Sequence, residues 1–450
     1  MDIIKPAIEN ILYPVMEKRR GNHVRAITAS LQSMERVSQN ELLSLRENKL
    51  RCLLLHCVKY VPAYKPLQNL IPEIETDPLA ALESFPLLTK DIFRADPESF
   101  IADNADRAQL IANNSGGSSG NPISFFMDRF TVEQYEAARW RGLSWYGITP
   151  GSRCLMIWGN PFDLDKMAMR QFRLTERYLK NRRIIPAYAL DPVAMKNHLR
   201  LIKRYRPEYL YGYSGALTQF ARLMLEQGLK LSLPLKAVVS TSETLYPYQR
   251  ELLEKAFFAP VVNEYGARDG GIIAYQCPCG SLHLSAENLI AQVVDIQSKA
   301  PLSPGEKGLL ILTDLHNYVQ PRIRYQLGDE VALSPDPCAC GRVLPVLDEV
   351  LGREDAIFVT IEGRLVHGVA FANCIKRVQE VEAFQIIQSA PDKAKVLLVT
   401  RDGLEPPGLK SVKNDYQVLL PGTKISYELV ESIPPAASGK IRYTVREFSL

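Results

Sequence analysis

The chain has 450 residues, of which 46% are apolar and 23% are charged, and its formal net charge is +4. This composition is typical of an ordinary globular protein with a large core, and the length predicts roughly two to four structural units. The small net charge argues against a nucleic-acid or membrane partner. No apolar run reaches the roughly 20 residues of a membrane span, the N-terminus lacks a signal-peptide layout, and a cytoplasmic location is expected.

The N-terminal region, residues 7–70, is predicted to be helical. Apolar residues recur there at spacings of three and four, at 42–45 and 53–58, and Pro62 and Pro66 end the pattern. A turn at residues 84–90 then leads into another helix.

The stretch at residues 113–122 contains three glycines, three serines and no bulky side chain. Glycine lets a ligand approach the backbone, and successive N–H groups with serine hydroxyls form a donor set suited to phosphate. A flexible linker is the alternative interpretation. The stretch lacks the Gly-Lys-Ser/Thr ending of a Walker loop, which argues against a kinase-type or GTPase-type site.

Strands and helices alternate from residue 123 to residue 265. The predicted strands are 123–127, 154–158, 184–188, 209–213, 237–240 and 261–265, and the predicted helices are 131–144, 166–179, 192–205, 216–226 and 247–258. This alternation indicates an α/β layer with mostly parallel strands. Ligands bind such sheets in the loops beyond the carboxyl ends of strands, which directs attention to residues 212–215 and 264–271. A third such loop, at 322–329, follows a predicted strand at 309–312.

The last 95 or so residues have a different pattern. A hairpin at 356–361 and 364–367 precedes strands at 383–388, 394–400 and 424–430 and helices at 369–381 and 408–419. This order predicts a small α+β domain that starts after residues 352–355, with a flexible loop near residues 434–442.

Four of the eight cysteines form two Cys-x-Cys-Gly units. They are Cys277 and Cys279, and Cys338 and Cys340. In a reducing compartment such pairs indicate metal ligands before disulfides, and four thiolates suit a closed, structural zinc site. His283 is an alternative ligand in place of one thiolate, and free buried thiols are the alternative to a metal site altogether.

The order and spacing of these motifs resemble the acyl-adenylate-forming (ANL) superfamily. Within it, the likeness is to the phenylacetate–coenzyme A ligase family and its capsular-polysaccharide-biosynthesis relatives, and it covers nearly the whole chain. The resemblance implies an α/β protein with a large N-terminal domain, 1–353, and a small mobile α+β lid domain, 354–450. The large domain would comprise a helical start at 1–75, an α/β core at 76–275 and a β-rich part with the cysteine pairs at 276–353.

The resemblance also implies roles for individual residues. Tyr265 would contact adenine, Asp329 would bind the ribose hydroxyls, and Asp269 would bind Mg²⁺, although the family has glutamate there. Lys440 would contact the carboxylate and the α-phosphate, and Asp355 would be the hinge. The phosphate loop would supply Ser115, Gly116, Gly117, Ser118, Ser119 and Gly120.

Further residues are assigned to the nucleotide site and to the acyl pocket. The additional nucleotide-site residues are Glu264, Gly266, Arg324 and Arg353; a surface ion pair is the alternative role for Arg324, and a solvated tail lysine is the alternative for Lys440. The predicted acyl-pocket residues are Tyr213, Ser240, Ala267, Gly270 and Gly271.

The implied function is ATP-dependent activation of a carboxylic acid as acyl-AMP, with release of pyrophosphate and transfer to coenzyme A. Aromatic residues near the pocket favour an aromatic acid. The expected cofactors are ATP, Mg²⁺, coenzyme A and structural Zn²⁺, in a monomer or homodimer. One alternative keeps adenylation but transfers the acyl group to an amine, a sugar or a carrier protein. Another is a catalytically silent, zinc-braced binding protein.

Overall fold

The computed structural model describes residues 4–115, 123–158, 174–187, 190, 192–229, 231, 233–353, 356–375, 378, 380–434 and 442–448. Within these residues, no helix combines the length and the apolar character that crossing a membrane requires.

The N-terminal region is helical, as the apolar periodicity predicts. Its α-helices are α1 (Ile4–Ala7), α2 (Tyr13–Arg20), α3 (Val24–Ser33), α4 (Gln39–Tyr60), α5 (Ile71–Thr76), α6 (Pro78–Glu83) and α7 (Lys90–Ala95). The longest, α4, begins at a capping box in which Ser38 and Glu41 satisfy each other's backbone N–H groups. Its buried face, including Leu50 and Leu54, packs into the core beneath the large sheet.

One eleven-stranded sheet occupies the middle of the chain. Its strands are β3 (Cys154–Trp158), β4 (Arg182–Pro186), β5 (Tyr209–Tyr213), β6 (Ala237–Thr241), β7 (Val261–Ala267), β8 (Gly271–Gln276), β9 (Leu282–Leu284), β10 (Leu289–Val294), β11 (Lys307–Asp314), β12 (Tyr325–Leu333) and β13 (Val346–Arg353), and a separate hairpin pairs β1 (Ile111–Asn114) with β2 (Ser124–Met127). The order across the sheet is β10-β11-β12-β13-β9-β8-β7-β6-β5-β3-β4. The half from β4 to β7 is parallel and the half from β7 to β10 is antiparallel.

Helices cover this sheet. They are α8 (Arg129–Ser144), α9 (Pro192–Tyr205), α10 (Ser214–Glu226) and α11 (Pro247–Phe257). Asp128 caps α8 by accepting a 2.8 Å hydrogen bond from the Thr131 amide. A Cβ at Gly142 would lie 2.2 Å from the ring of Tyr275, so only glycine allows α8 to approach β8 this closely.

The C-terminal part forms its own small sheets. A hairpin joins β14 (Ile357–Val359) to β15 (Leu365–His367), and a four-stranded sheet contains β16 (Val381–Ala390), β17 (Lys393–Thr400), β18 (Lys424–Leu429) and β19 (Thr444–Arg446). Helices α12 (Gly368–Ile375) and α13 (Leu409–Leu419) pack against them. The sequence does not predict β19, a three-residue strand that lies parallel to β16.

The fold-class prediction is confirmed: a parallel α/β layer, a β-rich part and a small α+β C-terminal region are all present. Parts of two predicted loops are instead strands. Gly266 and Ala267 lie within β7, which continues past its predicted end at residue 265, and Asp329 lies within β12. The domain limits 1–353 and 354–450 stay a prediction.

An ion pair between Arg141 and Glu287 lies inside this core. The two atoms Nη1 and Oε1 are 2.5 Å apart, both side chains are 1% exposed, and Arg141 also lies 3.3 Å from the Ser285 hydroxyl. The pair joins α8 to the segment before β10.

We expect Arg141→Met to reduce the free energy of unfolding by about 3–5 kcal/mol, because it leaves the Glu287 carboxylate buried without its cation. The double variant Arg141→Met/Glu287→Met should lose less than the single variant. Urea unfolding followed by circular dichroism measures both. The exposed pair Lys307–Glu349 is the matched control, and Lys307→Met should change stability by less than about 1 kcal/mol. A loss in Arg141→Met no larger than in this control would contradict the expectation.

Candidate active site and cysteine–histidine cluster

A cleft of about 1060 Å³ opens at the carboxyl ends of the parallel strands. The ends of β3, β5, β6 and β7 contribute Trp158, Tyr213, Thr241 and the stretch 264–267. The C-terminal region contributes the stretch 442–444 to the same cleft. The location is the usual one for a ligand site in an open α/β sheet.

Asp329 is held from two sides. Its Oδ2 accepts a 2.7 Å hydrogen bond from the Tyr265 hydroxyl, and its Oδ1 accepts a 3.0 Å hydrogen bond from Nη1 of Arg353. Burial, followed by the negative charge of Asp329, raises the pKa of Tyr265 well above its ordinary value. Tyr265 therefore stays protonated and remains a donor, and Tyr265 and Arg353 together fix the Asp329 carboxyl group beside the cleft.

Asp269 lies in the tight turn between β7 and β8 and is 5% exposed. Its Oδ2 accepts a 2.7 Å hydrogen bond from the Tyr325 hydroxyl, and its main-chain carbonyl accepts a 3.2 Å hydrogen bond from Nε of Arg322. Because its side chain also lines the cleft, a carboxylate oxygen is available there to a ligand.

Glu264 is a buried carboxylate at the floor of the cleft. Its Oε1 accepts hydrogen bonds from the hydroxyls of Tyr211, at 2.6 Å, and Thr241, at 3.1 Å. Its Oε2 lies 3.4 Å from Nε of Arg139, which α8 projects into the cleft. Interaction with Tyr211 and then with Glu264 outweighs burial and raises the pKa of Arg139. The ion pair between Arg139 and Glu264 therefore places a positive and a negative charge side by side at the floor of the cleft.

Aromatic rings form the adjacent wall. The ring centroids of Trp158 and Tyr213 are 4.2 Å apart, and those of Trp158 and Tyr211 are 5.9 Å apart.

The turn between β7 and β8 depends on Gly271. This residue has φ of +70°, and a Cβ there would lie 2.5 Å from the ring of Tyr135. Both constraints require glycine, so the β7–β8 turn packs directly against α8.

Most of the predicted site residues that the structure describes come together in this cleft. Those that line it are Ser115, Tyr213, Glu264, Tyr265, Gly266, Ala267, Asp269, Gly271, Asp329 and Arg353. Ser115 closes the base of the glycine-rich stretch, because its hydroxyl accepts a 2.9 Å hydrogen bond from the Ile123 amide. The predictions for Gly116, Gly117, Ser118, Ser119, Gly120, Asp355 and Lys440 fall outside the described residues.

Three predicted site residues lie behind the cleft wall. Nη1 of Arg324 donates to the carbonyl oxygens of Glu83, at 2.6 Å, and Phe85, at 3.0 Å, so it ties α6 to the sheet. Ser240 is fully buried, with its hydroxyl 2.6 Å from that of Ser214. Gly270 is buried beside Leu312. Their roles at the site stay predictions.

Sequence reasoning did not single out Tyr135, Arg139, Arg322 or Tyr325. Tyr135 and Arg139 are four residues apart on α8, and polar groups at this spacing on one helix face are a signal that could have indicated a site. Arg322 and Tyr325 flank Arg324, which the sequence did single out. Their contacts join segments far apart in the chain, which no local pattern reveals.

Four metal-binding side chains form a second cluster, and none of the four lines the cleft. Cys277, His283, Cys338 and Cys340 bring their ligand atoms within 4.8 Å of one another. The Sγ atoms of Cys277 and Cys338 are 3.7 Å apart, and Sγ of Cys340 is 3.2 Å from Nε2 of His283. The structure differs from the predicted set in one member: His283 joins the cluster, whereas Cys279 is exposed outside it.

Neighbouring groups fix the orientation of the histidine in this cluster. Nδ1 of His283 lies 3.0 Å from the carbonyl oxygen of Leu344, which leaves Nε2 directed at the cysteines. The indole of Trp145 packs edge-on against the imidazole and donates a 2.7 Å hydrogen bond to Glu35, which also pairs with Arg342 at 3.0 Å. The imidazole orientation is therefore fixed by the Leu344 carbonyl and by Trp145 at the end of α8, which Glu35 of the N-terminal region holds in place.

Comparisons with known proteins agree with this architecture. The family described as the CapK C-terminal domain matches residues 358–447. Protein CapK of Staphylococcus aureus is 24% identical over 378 residues, covering 82% of this chain and 80% of that protein. Phenylacetate-coenzyme A ligase of Thermus thermophilus is 23% identical over 337 residues, covering 72% of this chain and 73% of that protein.

Among solved structures, the chain is similar to 2-hydroxyisobutyryl-CoA ligase in the postadenylation state in complex with R3-HIB-AMP. The TM-score is 0.68 at 17% identity, and 89% of each chain is covered. This likeness shows a shared fold. The resemblance found in the sequence is confirmed: the chain is similar over most of its length to CapK and to a phenylacetate-coenzyme A ligase, and its fold is that of an acyl-CoA ligase.

Proposed function

We propose that the protein is an ATP-dependent ligase that activates a carboxylic acid as acyl-AMP and transfers the acyl group to coenzyme A. The observation that carries this proposal is the convergence of Tyr265, Asp269, Asp329 and Arg353 on one cleft. A ligase of phenylacetate among its relatives supports the same reaction class.

The nucleoside would bind at Asp329. A short carboxylate held by Tyr265 and Arg353 is a rigid acceptor, and ribose hydroxyls are the donors it suits. Arg353 also limits the net negative charge beside the phosphates. Tyr265 lines the cleft and offers a flat face to the base.

Asp269 is the residue that fits a magnesium ion. Its Oδ2 is engaged by Tyr325, and its Oδ1 has no hydrogen-bond partner within the described residues. Hard divalent cations prefer carboxylate oxygen. Mg²⁺ bound there would neutralise charge on the triphosphate.

The first chemical step joins the substrate acid to AMP. A carboxylate oxygen attacks the α-phosphorus of ATP while the bond to the bridging oxygen of pyrophosphate breaks. In the second step the coenzyme A thiolate attacks the acyl carbonyl carbon and AMP leaves. Lys440, by its motif, would stabilise the charge that develops on the α-phosphate, and motion about Asp355 would then withdraw it.

The acid that this cleft suits is aromatic. Trp158, Tyr211 and Tyr213 form an aromatic wall, and offset or tilted ring packing favours a flat substrate.

We expect acid-dependent exchange between labelled pyrophosphate and ATP when the protein is incubated with a panel of carboxylic acids. Aromatic acids should give the highest rates. Lys440→Ala should reduce the exchange by roughly 10²–10³-fold, because one preorganised charge at the α-phosphate is lost.

Lys424→Ala is the matched control, since Lys424 is a lysine of β18 outside the cleft, and its exchange rate should equal that of the wild type. Nucleotide binding without exchange for any acid would contradict an adenylating activity. It would favour a silent binding protein.

A second candidate keeps adenylation but changes the acceptor to an amine, a sugar or a carrier protein. The similarity to CapK and the match to its C-terminal domain favour it. Adding coenzyme A after adenylation separates the two. We expect a thioester that appears as AMP is released, whereas acyl-AMP that persists with coenzyme A would favour the alternative acceptor.

We also propose that Cys277, His283, Cys338 and Cys340 hold a structural zinc ion. Thiolates about 2.3 Å from a tetrahedral zinc lie about 3.8 Å from each other, close to the 3.7 Å between Cys277 and Cys338. A set of three thiolates and one imidazole leaves no open coordination position, so the ion would brace the fold and take no part in catalysis.

We expect purified protein to contain about one zinc ion per chain, measured by plasma mass spectrometry. Cys338→Ser should lose the ion and unfold at a lower temperature, because metal binding is coupled to folding. Cys279→Ser is the matched control and should keep both zinc and thermal midpoint. Retention of zinc by Cys338→Ser with loss in Cys279→Ser would contradict this ligand set.

A further inference from the structure

Two segments with the same spacing of tyrosine and aspartate cross at the cleft. One runs from Tyr265 to Asp269 and the other from Tyr325 to Asp329. Each tyrosine donates to the aspartate of the other segment: Tyr265 to Asp329 and Tyr325 to Asp269, both at 2.7 Å. Neither tyrosine bonds to the aspartate of its own segment.

We propose that Tyr325 is a positioning residue that orients Asp269 toward the metal–triphosphate complex, while the matching hydrogen bond from Tyr265 holds Asp329 at the ribose end. The inference rests on the proposed function, since it assigns a role within the same nucleotide site.

The hydroxyl of Tyr325 contributes to this site through its hydrogen bond to Asp269. Tyr325 is 1% exposed, and a phenol hydroxyl buried to this degree needs a partner, which Oδ2 of Asp269 supplies. Nε of Arg322 holds the Asp269 carbonyl at 3.2 Å, so main chain and carboxylate are each fixed once. These two contacts fix the orientation of the carboxyl group and therefore the position of its other oxygen, Oδ1.

The direction of the hydrogen bond supports this role. The Tyr325 hydroxyl is the donor and the Asp269 carboxylate is the acceptor, so the tyrosine can orient the carboxylate. Aspartate has a shorter reach than the glutamate of related motifs, which makes a fixed orientation more important for contact with a metal.

Calorimetry without any acid substrate measures binding at the triphosphate end and at the ribose end of the nucleotide separately. ATP binding is measured with and without Mg²⁺, and AMP binding is measured without metal. In Tyr325→Phe we expect AMP affinity to be unchanged and the Mg²⁺-dependent gain in ATP affinity to fall about tenfold, the effect of losing one hydrogen bond to a charged group. In Tyr265→Phe we expect the affinity for AMP itself to fall, because this variant removes the hydrogen bond to Asp329.

Tyr64→Phe is the matched control. Tyr64 is also a buried core tyrosine with a bonded hydroxyl, which accepts from the Ile323 amide at 3.2 Å and touches neither aspartate. It should leave both affinities unchanged. Asp269→Asn gives a second measurement: if Tyr325 acts through Asp269, Tyr325→Phe/Asp269→Asn should bind Mg²⁺-ATP no more weakly than Asp269→Asn.

Equal Mg²⁺ dependence in Tyr325→Phe and wild type would overturn this inference and leave the proposed function standing. Additive losses in the double variant would overturn it as well. If the wild type bound neither ATP nor AMP, the proposed function itself would fail, and the inference with it.

Discussion

The hydrogen bonds from Tyr265 to Asp329 and from Tyr325 to Asp269 depend on a sharp bend in the large sheet. In the strand order, three strands separate β7 from β12. At the usual spacing of about 4.8 Å, a flat sheet would hold these strands about 19 Å apart, beyond the reach of a tyrosine. The 2.7 Å contacts exist because the antiparallel half of the sheet folds back over the end of the parallel half.

The part of the sheet between β7 and β12 contains its least extensive pairing among the described strands. Strands β9 and β13 share only the pairs His283–Val346 and Leu282–Leu347. The cysteine–histidine cluster lies there, since His283 is in β9, Cys277 follows β8, and the other two cysteines precede β13. A metal at this cluster would connect β8 and β9 to the segment before β13, where backbone pairing is least extensive, so its loss would disturb the cleft through the sheet.

The cleft is a composite of rigid polar groups and aromatic surface. Three of its carboxyl groups are each held by donors: Asp329 by two side chains, Asp269 by a tyrosine, and Glu264 by two hydroxyls. Burying a charged group costs free energy unless the group is hydrogen-bonded. The donors offset this cost, and they also fix the groups before a ligand arrives, as a preorganised ligand site requires. Arg139 adds a cation that balances Glu264.

The sequence by itself determined the element types, the α/β class and the motif residues that line the cleft, because periodicity and glycine-rich turns are local properties. It placed Gly266 and Asp329 in loops, whereas strand pairing extends β7 through Gly266 and β12 through Asp329. Only the tertiary structure decided that His283 rather than Cys279 joins the cysteines, that Arg324 points away from the cleft, and that tyrosines and aspartates pair crosswise. Each depends on contacts between segments tens to hundreds of residues apart, and local sequence carries no record of such distances.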